Sequence, residues 1–186
     1  MPVRLPLRLV AVAAGFVALL AAGGCTGEAG ARRGQPTSAP ATGAADRDVI
    51  DFTGLRGIRF GSSLRELSAT GRVATEGNGC LPSFVGNEAA HPVFDGDRLV
   101  LIWAHPPLRT PEGVMVGSSV DVAKRAYPAA MALTPPVGST TFPGLLVTGG
   151  GDRAFLLLHD QGQVQKLIVG YERYARLLFD TGFGTC

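Results

Sequence analysis

Residues 57–71, GIRFGSSLRELSATG, return with moderate changes as residues 113–127, GVMVGSSVDVAKRAY. In both copies a glycine begins a short apolar strand, and the triplet Gly-Ser-Ser follows it at the same place. Ser63 and Ser119 then stand where a helix N-cap is expected, because a serine hydroxyl can accept hydrogen bonds from amides of the first helical turn. The stretch therefore predicts a strand, a sharp turn and a capped helix, used twice.

Both predicted helices carry acidic residues in the first turn and end at a clear stop. Glu66 stands three residues after Ser63, as in a capping box, and Asp121 places a negative charge near the start of the second helix. Gly71 ends the first helix and Pro128 ends the second. At about eight or nine residues each, such helices need a sheet to lie on.

A hairpin pattern follows each helix. Residues 92–104, PVFDGDRLVLIWA, hold a tight-turn pair, Asp95 and Gly96, between apolar strands. Residues 153–170, RAFLLLHDQGQVQKLIVG, hold a slightly longer turn at 160–162.

The order strand, Gly-Ser-Ser, helix, loop and hairpin thus occurs over about 48–107 and again over about 108–186. Two copies are too few for a solenoid. The sequence predicts an α+β domain, 48–186, in which two fused and diverged repeats share one antiparallel sheet and one core.

Residues 1–24 are predicted to be a signal peptide. Arg4 and Arg8 form a positive region, and an uncharged apolar run, LVAVAAGFVALL, follows at 9–20. A helix needs roughly 20 apolar residues to cross a bilayer, so this shorter run fits an export signal. Cleavage nearby and an uncleaved anchor are the alternatives to processing at Cys25.

Cys25 follows the small residues AAGG, and this arrangement resembles the lipobox of bacterial lipoproteins, with Ala22 where leucine is commonest. The resemblance implies that Cys25 becomes the first mature residue and carries thioether-linked diacylglycerol. The lipid bilayer would then be a partner, and the protein would lie on the outer face of the cytoplasmic membrane. Residues 26–47 lack any aromatic residue, Leu, Ile, Val or Met, so 25–47 is predicted to be a lipidated N-terminus and flexible tether.

The Gly-x-x-x-Gly-Ser opening, short helix and antiparallel strands resemble the repeat of secreted β-lactamase-inhibitor proteins. They are also similar to the small lipoprotein of the outer-membrane β-barrel assembly machine. With the lipobox and tether, the chain looks like uncharacterised lipoproteins of high-GC Gram-positive (actinobacterial-type) bacteria that have two helix-plus-sheet halves. The resemblance spans most of 48–186 and implies a binding or scaffolding role, and it carries no functional residue over to this chain.

The charge balance argues against a nucleic-acid partner. The formal net charge of +2 comes from Arg4 and Arg8 of the signal peptide, so 15 basic residues face 15 acidic ones in the mature chain. Such a balance predicts no basic patch.

Cys80 and Cys186 remain once Cys25 is assigned to lipid. In an exported chain two cysteines suit one disulfide, which would close a loop of about 107 residues. A chain-entropy model gives a loop of that size roughly 4–5 kcal/mol of stability. The alternative is a catalytic or metal-binding thiol, although no histidine stands near either cysteine in the sequence.

The sequence predicts neither a metal nor a cofactor. His91, His105 and His159 stand far apart along the chain, whereas metal sites usually contain a closely spaced pair. Each histidine is expected at a hairpin edge or in a loop, exposed to solvent. The glycine run 149–151 precedes a strand, where a phosphate loop would precede a helix.

A serine hydrolase would need the motif G-x-S-x-G at a strand-to-helix turn. The residues two positions after Ser63 and Ser119 are Arg65 and Asp121, so neither triplet fits. A feature present in both copies also suits a helix cap better than a unique nucleophile.

Candidate binding residues lie on surfaces. Trp103 stands beside the proline-rich segment 104–112 and could anchor a partner, with a place in the core as the alternative. Residues 133–144 form a second proline-rich excursion, and such loops on a rigid sheet often carry binding residues. The charged side of the last element presents Arg173 and Arg176 as candidate recognition residues.

The sequence therefore predicts a lipid-anchored module that binds an envelope protein or a cell-wall small molecule without turning it over. The alternatives are an envelope-polymer hydrolase and a purely structural spacer. A hydrolase would place an acid, base or nucleophile in the cleft of one copy only.

Overall fold

The computed structural model describes residues 46–76 and 82–184, which belong to one compact unit, Ala39–Cys186. The predicted signal peptide, the lipidation site Cys25 and the predicted disulfide, Cys80 with Cys186, fall outside the described residues.

The end of the predicted tether has defined structure. Asp46–Asp48 forms a 3-10 turn, and the Arg47 carbonyl accepts a hydrogen bond from Arg56 Nε at 2.7 Å. Defined structure is therefore present two residues before the predicted boundary at 48.

The domain contains eleven described strands and three described α-helices. The strands are β1 (Ile50–Asp51), β2 (Gly54–Leu55), β3 (Ile58–Arg59), β4 (Val73–Ala74), β5 (Ser83–Phe84), β6 (Ala90–Asp95), β7 (Arg98–Ala104), β8 (Met131–Leu133), β9 (Gly144–Thr148), β10 (Arg153–Asp160) and β11 (Gln163–Tyr171). The helices are α1 (Leu64–Ala69), α2 (Val120–Ala126) and α3 (Glu172–Thr181).

A six-stranded antiparallel sheet with the order β6-β7-β11-β10-β9-β8 is the centre of the domain. The α+β class predicted from the sequence is confirmed. The prediction of a single sheet is too simple, because β1–β3 form a separate three-stranded sheet and β4–β5 a separate two-stranded sheet.

Both predicted hairpins form, with turns defined by their closing pairs. Asp95 pairs with Arg98, so the first loop is Gly96 and Asp97, one residue later than the predicted turn. Asp160 pairs with Gln163, so the second loop is Gln161 and Gly162, which is shorter than the turn predicted at 160–162. The φ angles of these two residues are 47° and 77°. Positive φ at both positions is what a type I′ hairpin turn requires.

The strand predicted at residues 113–116 does not form. The Val114 amide donates to Thr110 Oγ1 at 3.2 Å, and the Thr110 amide donates to the Val114 carbonyl at 2.9 Å. This tight loop satisfies backbone groups that a strand would otherwise have to pair, and it leaves both Val114 and Thr110 fully buried at 0% exposure.

The two repeated helices are shorter than expected, at 6 residues for α1 and 7 for α2, while α3 has 10. α3 ends at Thr181 and is capped by Gly182, whose φ of 76° is the left-handed conformation common after helices. None of the helices in the described ranges is long and apolar enough to span a membrane.

The two faces of the large sheet carry two apolar cores, since alternate side chains along a strand point to opposite faces. The first core holds side chains of α1, α2, the small sheets and one face of the large sheet, including Phe155, Leu157 and Leu167. The second core holds the opposite face with α3, including Leu156, Ile168 and Leu178. The chain therefore builds a sheet covered by α1 and α2 on one side and by α3 on the other.

Candidate functional site

Each Gly-Ser-Ser turn is hydrogen-bonded to one hairpin of the large sheet. The Gly61 amide donates to the Leu99 carbonyl at 2.8 Å, and the Gly117 amide donates to the Val164 carbonyl at 2.8 Å. In return, the Leu99 amide donates to the Ser62 carbonyl at 3.0 Å. The Val164 amide donates to the Ser118 carbonyl at 2.9 Å. Both triplets are thus corners that join a helix start to a hairpin.

The second serine of each triplet is the N-cap of its helix. Ser63 Oγ accepts from the Glu66 amide at 3.4 Å, and Ser119 Oγ accepts from the Val122 amide at 3.2 Å. Hydroxyls engaged in this way stabilise helix ends, which is a structural role.

Asp97 completes the first cap from the neighbouring hairpin turn, a contact that the sequence did not predict. Its Oδ2 accepts from Ser63 Oγ at 2.6 Å and its Oδ1 accepts from the Arg65 amide at 3.1 Å. These hydrogen bonds, first that of Ser63, lower the pKa of Asp97. Gly162 holds the corresponding place in the second hairpin turn and has no side chain to do the same.

An open groove of about 280 Å³ lies where the beginning of α3 meets β7 and the beginning of β10. We call it the arginine–tyrosine groove, and its lining residues are Arg98, Val100, Asp152, Tyr171, Arg173 and Tyr174. The Glu172 amide donates to the Asp152 carbonyl at 2.8 Å, which fixes the start of α3 against β10.

Guanidinium groups and tyrosine rings alternate around the groove. Arg98 Nη2 donates to Tyr171 Oη at 3.2 Å, and Arg153 Cζ lies 3.6 Å from the centroid of the Tyr171 ring. Arg173 Cζ lies 4.3 Å from the centroid of the Tyr174 ring. Such stacking holds the arginines in place while their remaining N–H groups can still bind a ligand.

Two of these arginines form no ion pair with any residue that the structure describes. Within the part of the chain that the structure describes, neither Arg98 nor Arg173 has a carboxylate within 4.0 Å. Arg153 differs, because it pairs with Asp152. Among the described residues, the groove therefore presents two guanidinium groups that are not engaged in a direct ion pair.

Tyr174 connects the groove to the first hairpin. Its hydroxyl donates to Asp95 Oδ2 and accepts from Arg173 Nη2 at 2.5 Å. The hydrogen bond to Asp95 raises the pKa of Tyr174, so the phenol stays protonated at neutral pH. Asp95 is thereby occupied and does not neutralise Arg173 directly.

Gly61 approaches the groove from the first Gly-Ser-Ser corner. Its φ is +88°, and a Cβ placed there would lie 2.7 Å from Tyr171 Oη and 3.4 Å from Arg98 Nη2. The groove thus depends on a glycine at this corner for the position of its tyrosine hydroxyl.

The predicted binding residues are not brought together. Arg173 lines the groove, whereas Trp103 and Arg176 do not. Trp103 is half-buried on the α3 side of the sheet, and its Nε1 donates to the Gly184 carbonyl at 3.2 Å. Arg176 pairs with Glu172 at 2.9 Å, one helical turn earlier.

The two proline-rich segments do not line the groove either. In 104–112, Leu108 and Thr110 are buried, and Glu112 accepts a hydrogen bond from the Tyr127 hydroxyl. In 133–144, the side chain of Val137 is fully exposed.

Two of the three histidines meet, which their sequence spacing does not suggest. The ring centroids of His91 and His105 lie 5.1 Å apart with an interplanar angle of 84°. Burial, and then the charge of His91, lower the pKa of His105. His159 stands apart on β10, and in residues 46–76 and 82–184 no three His, Cys, Asp or Glu side chains form a metal-binding group.

A second open groove, of about 240 Å³, lies along β1–β3 and includes Asp51, Arg56 and Arg59. Asp51 Oδ1 is already occupied by hydrogen bonds from Thr53 and Gly54, and Arg56 pairs with Asp48 at 3.5 Å. This groove therefore offers a ligand less free charge than the arginine–tyrosine groove.

No family model, curated protein or solved structure matches this chain.

Proposed function

We propose that this chain is a non-catalytic binding module, held on the outer face of the cytoplasmic membrane by an acylated Cys25. Its ligand site is the arginine–tyrosine groove, and the ligand presents an anionic group, carboxylate or phosphate, on an envelope protein or a cell-wall small molecule. The observation that carries the proposal is the pair of guanidinium groups, Arg98 and Arg173, without acidic partners among the described residues, in a tyrosine-walled groove.

The chemistry of the groove supports binding an anion. A guanidinium group offers several N–H donors in a planar fork that matches a carboxylate or phosphate, and such charge-assisted hydrogen bonds are strong. Tyr171, which is half-buried, adds a ring against which the apolar part of a ligand can pack, whereas Tyr174 is 7% exposed and belongs to the second core. Guanidinium and phenol groups keep their protons at neutral pH, so they suit holding a ligand better than moving protons.

We also propose that the domain arose from two fused copies of one unit, with their hairpins in one sheet. Matching hydrogen bonds at the two Gly-Ser-Ser corners support this, since Leu99 and Val164 play the same part in their respective hairpins. The helix starts match as well, because the Leu64 amide donates to the Asp97 carbonyl and the Val120 amide donates to the Gly162 carbonyl.

The register between β7 and β11 supports the same relation. Val164 lies 65 residues after Leu99, and Val169 lies 65 residues after Ala104. In the ladder, Ala104 pairs with Leu167. Val169 pairs with Ile102, and Ile102 lies 65 residues before Leu167. This pairing is what a twofold relation between the two proposed halves would require.

The arginine–tyrosine groove is built from both proposed halves, with Arg98 and Val100 from the first and Asp152, Tyr171, Arg173 and Tyr174 from the second. The residue 65 positions after Arg98 is Gln163, and the residue 65 positions before Tyr171 is Pro106. The proposed twofold relation therefore does not repeat these charged and aromatic residues. A catalytic site would break the relation as well, so it is the guanidinium and phenol chemistry of the groove that favours binding over hydrolysis.

The test compares binding with and without the two charges. Arg98→Gln/Arg173→Gln should abolish saturable binding of phosphate- and carboxylate-bearing envelope components to the purified full-length protein, measured by isothermal titration calorimetry. Arg59→Gln/Arg125→Gln, which removes two exposed arginines outside the groove, is the matched control and should bind as the wild type does. Equal binding by both double variants, or release of a hydrolysed product, would overturn the proposal.

A further inference from the structure

The pair His91 and His105, here called the histidine pair, lies outside the arginine–tyrosine groove. His91 lies on β6 opposite Trp103 of β7, and His105 follows the last residue of β7. Residues two positions apart along a strand, and residues directly opposite in a ladder, point to the same face. The first hairpin therefore places two imidazoles on one face, one from β6 and one from the residue that follows β7.

Both side chains of the histidine pair are exposed, so an ion can reach them from solvent. The His105 amide donates to the Ala89 carbonyl at 2.7 Å, which holds the chain after β7 against β6. The backbone positions of the two rings are thus fixed by the hairpin ladder, while each ring remains free to rotate about its Cβ–Cγ bond, a torsion with a broad energy profile.

The distance between the rings fits a shared metal ion. With a metal–nitrogen bond of about 2.0–2.1 Å, each ring centre lies about 3.2 Å from the ion. Two such rings have centres about 5.2 Å apart if the angle at the metal is tetrahedral, and about 4.5 Å apart if it is a right angle. The observed separation of 5.1 Å falls between these values. Rotation about the Cβ–Cγ bonds barely moves the ring centres, so it reorients the ring nitrogens while keeping this separation.

We propose that the histidine pair binds one divalent transition-metal ion, Cu²⁺, Ni²⁺ or Zn²⁺, through one nitrogen of each ring. Imidazole is a preferred ligand for these ions, while Mg²⁺ and Ca²⁺ prefer oxygen. Two protein ligands leave the other coordination positions to water or to a partner. The proposal does not depend on the arginine–tyrosine groove or on lipidation.

The test uses Cu²⁺ alone with the full-length protein in detergent, after alkylation of any free thiol. The wild type should bind one Cu²⁺ per chain at this site, and pulsed electron paramagnetic resonance should detect the remote nitrogens of two imidazoles. His91→Gln and His105→Gln should each lower the affinity at least tenfold and leave the signal of one imidazole. His159→Gln removes the remaining histidine of the sequence and should change neither quantity.

Circular dichroism and the unfolding midpoint without metal check that the exposed substitutions leave the fold intact. The proposal is overturned if His91→Gln and His105→Gln bind Cu²⁺ as tightly as the wild type, or if His159→Gln lowers the affinity as much as they do. Failure of the wild type to bind one equivalent below millimolar Cu²⁺ would also overturn it.

Discussion

Gly61 and Gly117 form a matched pair that tests how the first Gly-Ser-Ser corner supports the groove. Their φ angles are +88° and +90°, so an alanine at either position meets the same backbone strain. Only at Gly61 would the new Cβ meet other atoms, 2.7 Å from Tyr171 Oη and 3.4 Å from Arg98 Nη2, whereas at Gly117 nothing lies within 4 Å.

The expected magnitudes follow from these distances. Left-handed backbone costs an alanine about 1–2 kcal/mol, which both variants lose from the free energy of unfolding. Gly61→Ala must also displace the Tyr171 hydroxyl and its hydrogen bond with Arg98, which adds about 0.5–1.5 kcal/mol. We therefore expect Gly61→Ala to cost more than Gly117→Ala by roughly that second amount.

Urea denaturation of the two variants measures the difference, and Tyr171→Phe shows its origin. In the Tyr171→Phe background the hydroxyl is gone, so Gly61→Ala should cost no more than Gly117→Ala does. Gly61→Ala should also weaken anion binding, whereas Gly117→Ala should not. Equal costs for Gly61→Ala and Gly117→Ala in the wild-type background would refute the role assigned to the corner.

Three further predictions concern the cap and the cysteines. Because the pKa of Asp97 is lowered in the folded state, its carboxylate stabilises the fold above its ordinary pKa of 3.8 and loses this effect as the pH falls. In thermal melts, Asp97→Asn should therefore lower the unfolding midpoint at pH 7, and this decrease should become smaller as the pH falls below 3.8. A decrease of the same size at pH 7 and below pH 3.8 contradicts this. Cys80→Ser should lower the free energy of unfolding by up to about 4–5 kcal/mol without reductant and by little with it; two free thiols in the native oxidised protein, counted by alkylation and mass spectrometry, contradict the bridge. Cys25→Ser should release the protein into the medium or leave it unprocessed in cell fractionation, and a variant that remains acylated and membrane-bound contradicts the lipid assignment.

Local patterns in the sequence were sufficient for the elements that depend on neighbouring residues. The capped turns and both hairpins follow from the Gly-Ser-Ser and Asp-Gly signals and from the turn residues at 160–162, all of which act over a few residues. The strand that was predicted at 113–116 and does not form shows the limit of such patterns. Thr110 pairs with Val114 and closes a loop there, and alternation of apolar residues does not reveal that competing contact.

The candidate site could not be predicted in the same way because it depends on long-range register. Arg98 and Tyr171 are 73 residues apart, and they meet only because β7 pairs with β11. The sequence singled out Arg173 as a charged residue of the last element, but only the fold distinguishes it from Arg176, which Glu172 already engages. The histidine pair is a second example, since its spacing along the chain gives no sign of the contact.

The central claim is that the arginine–tyrosine groove receives an envelope ligand. The most direct measurement places a photoreactive amino acid at Asp152, which lines the groove with its side chain 72% exposed, and crosslinks it in intact cells. The same substitution at Asp121, exposed on α2, is the control. We predict one defined adduct from position 152 that disappears in the Arg98→Gln/Arg173→Gln background and is not formed from position 121. An adduct that forms equally from both positions, or one that persists without the two arginines, would contradict the account.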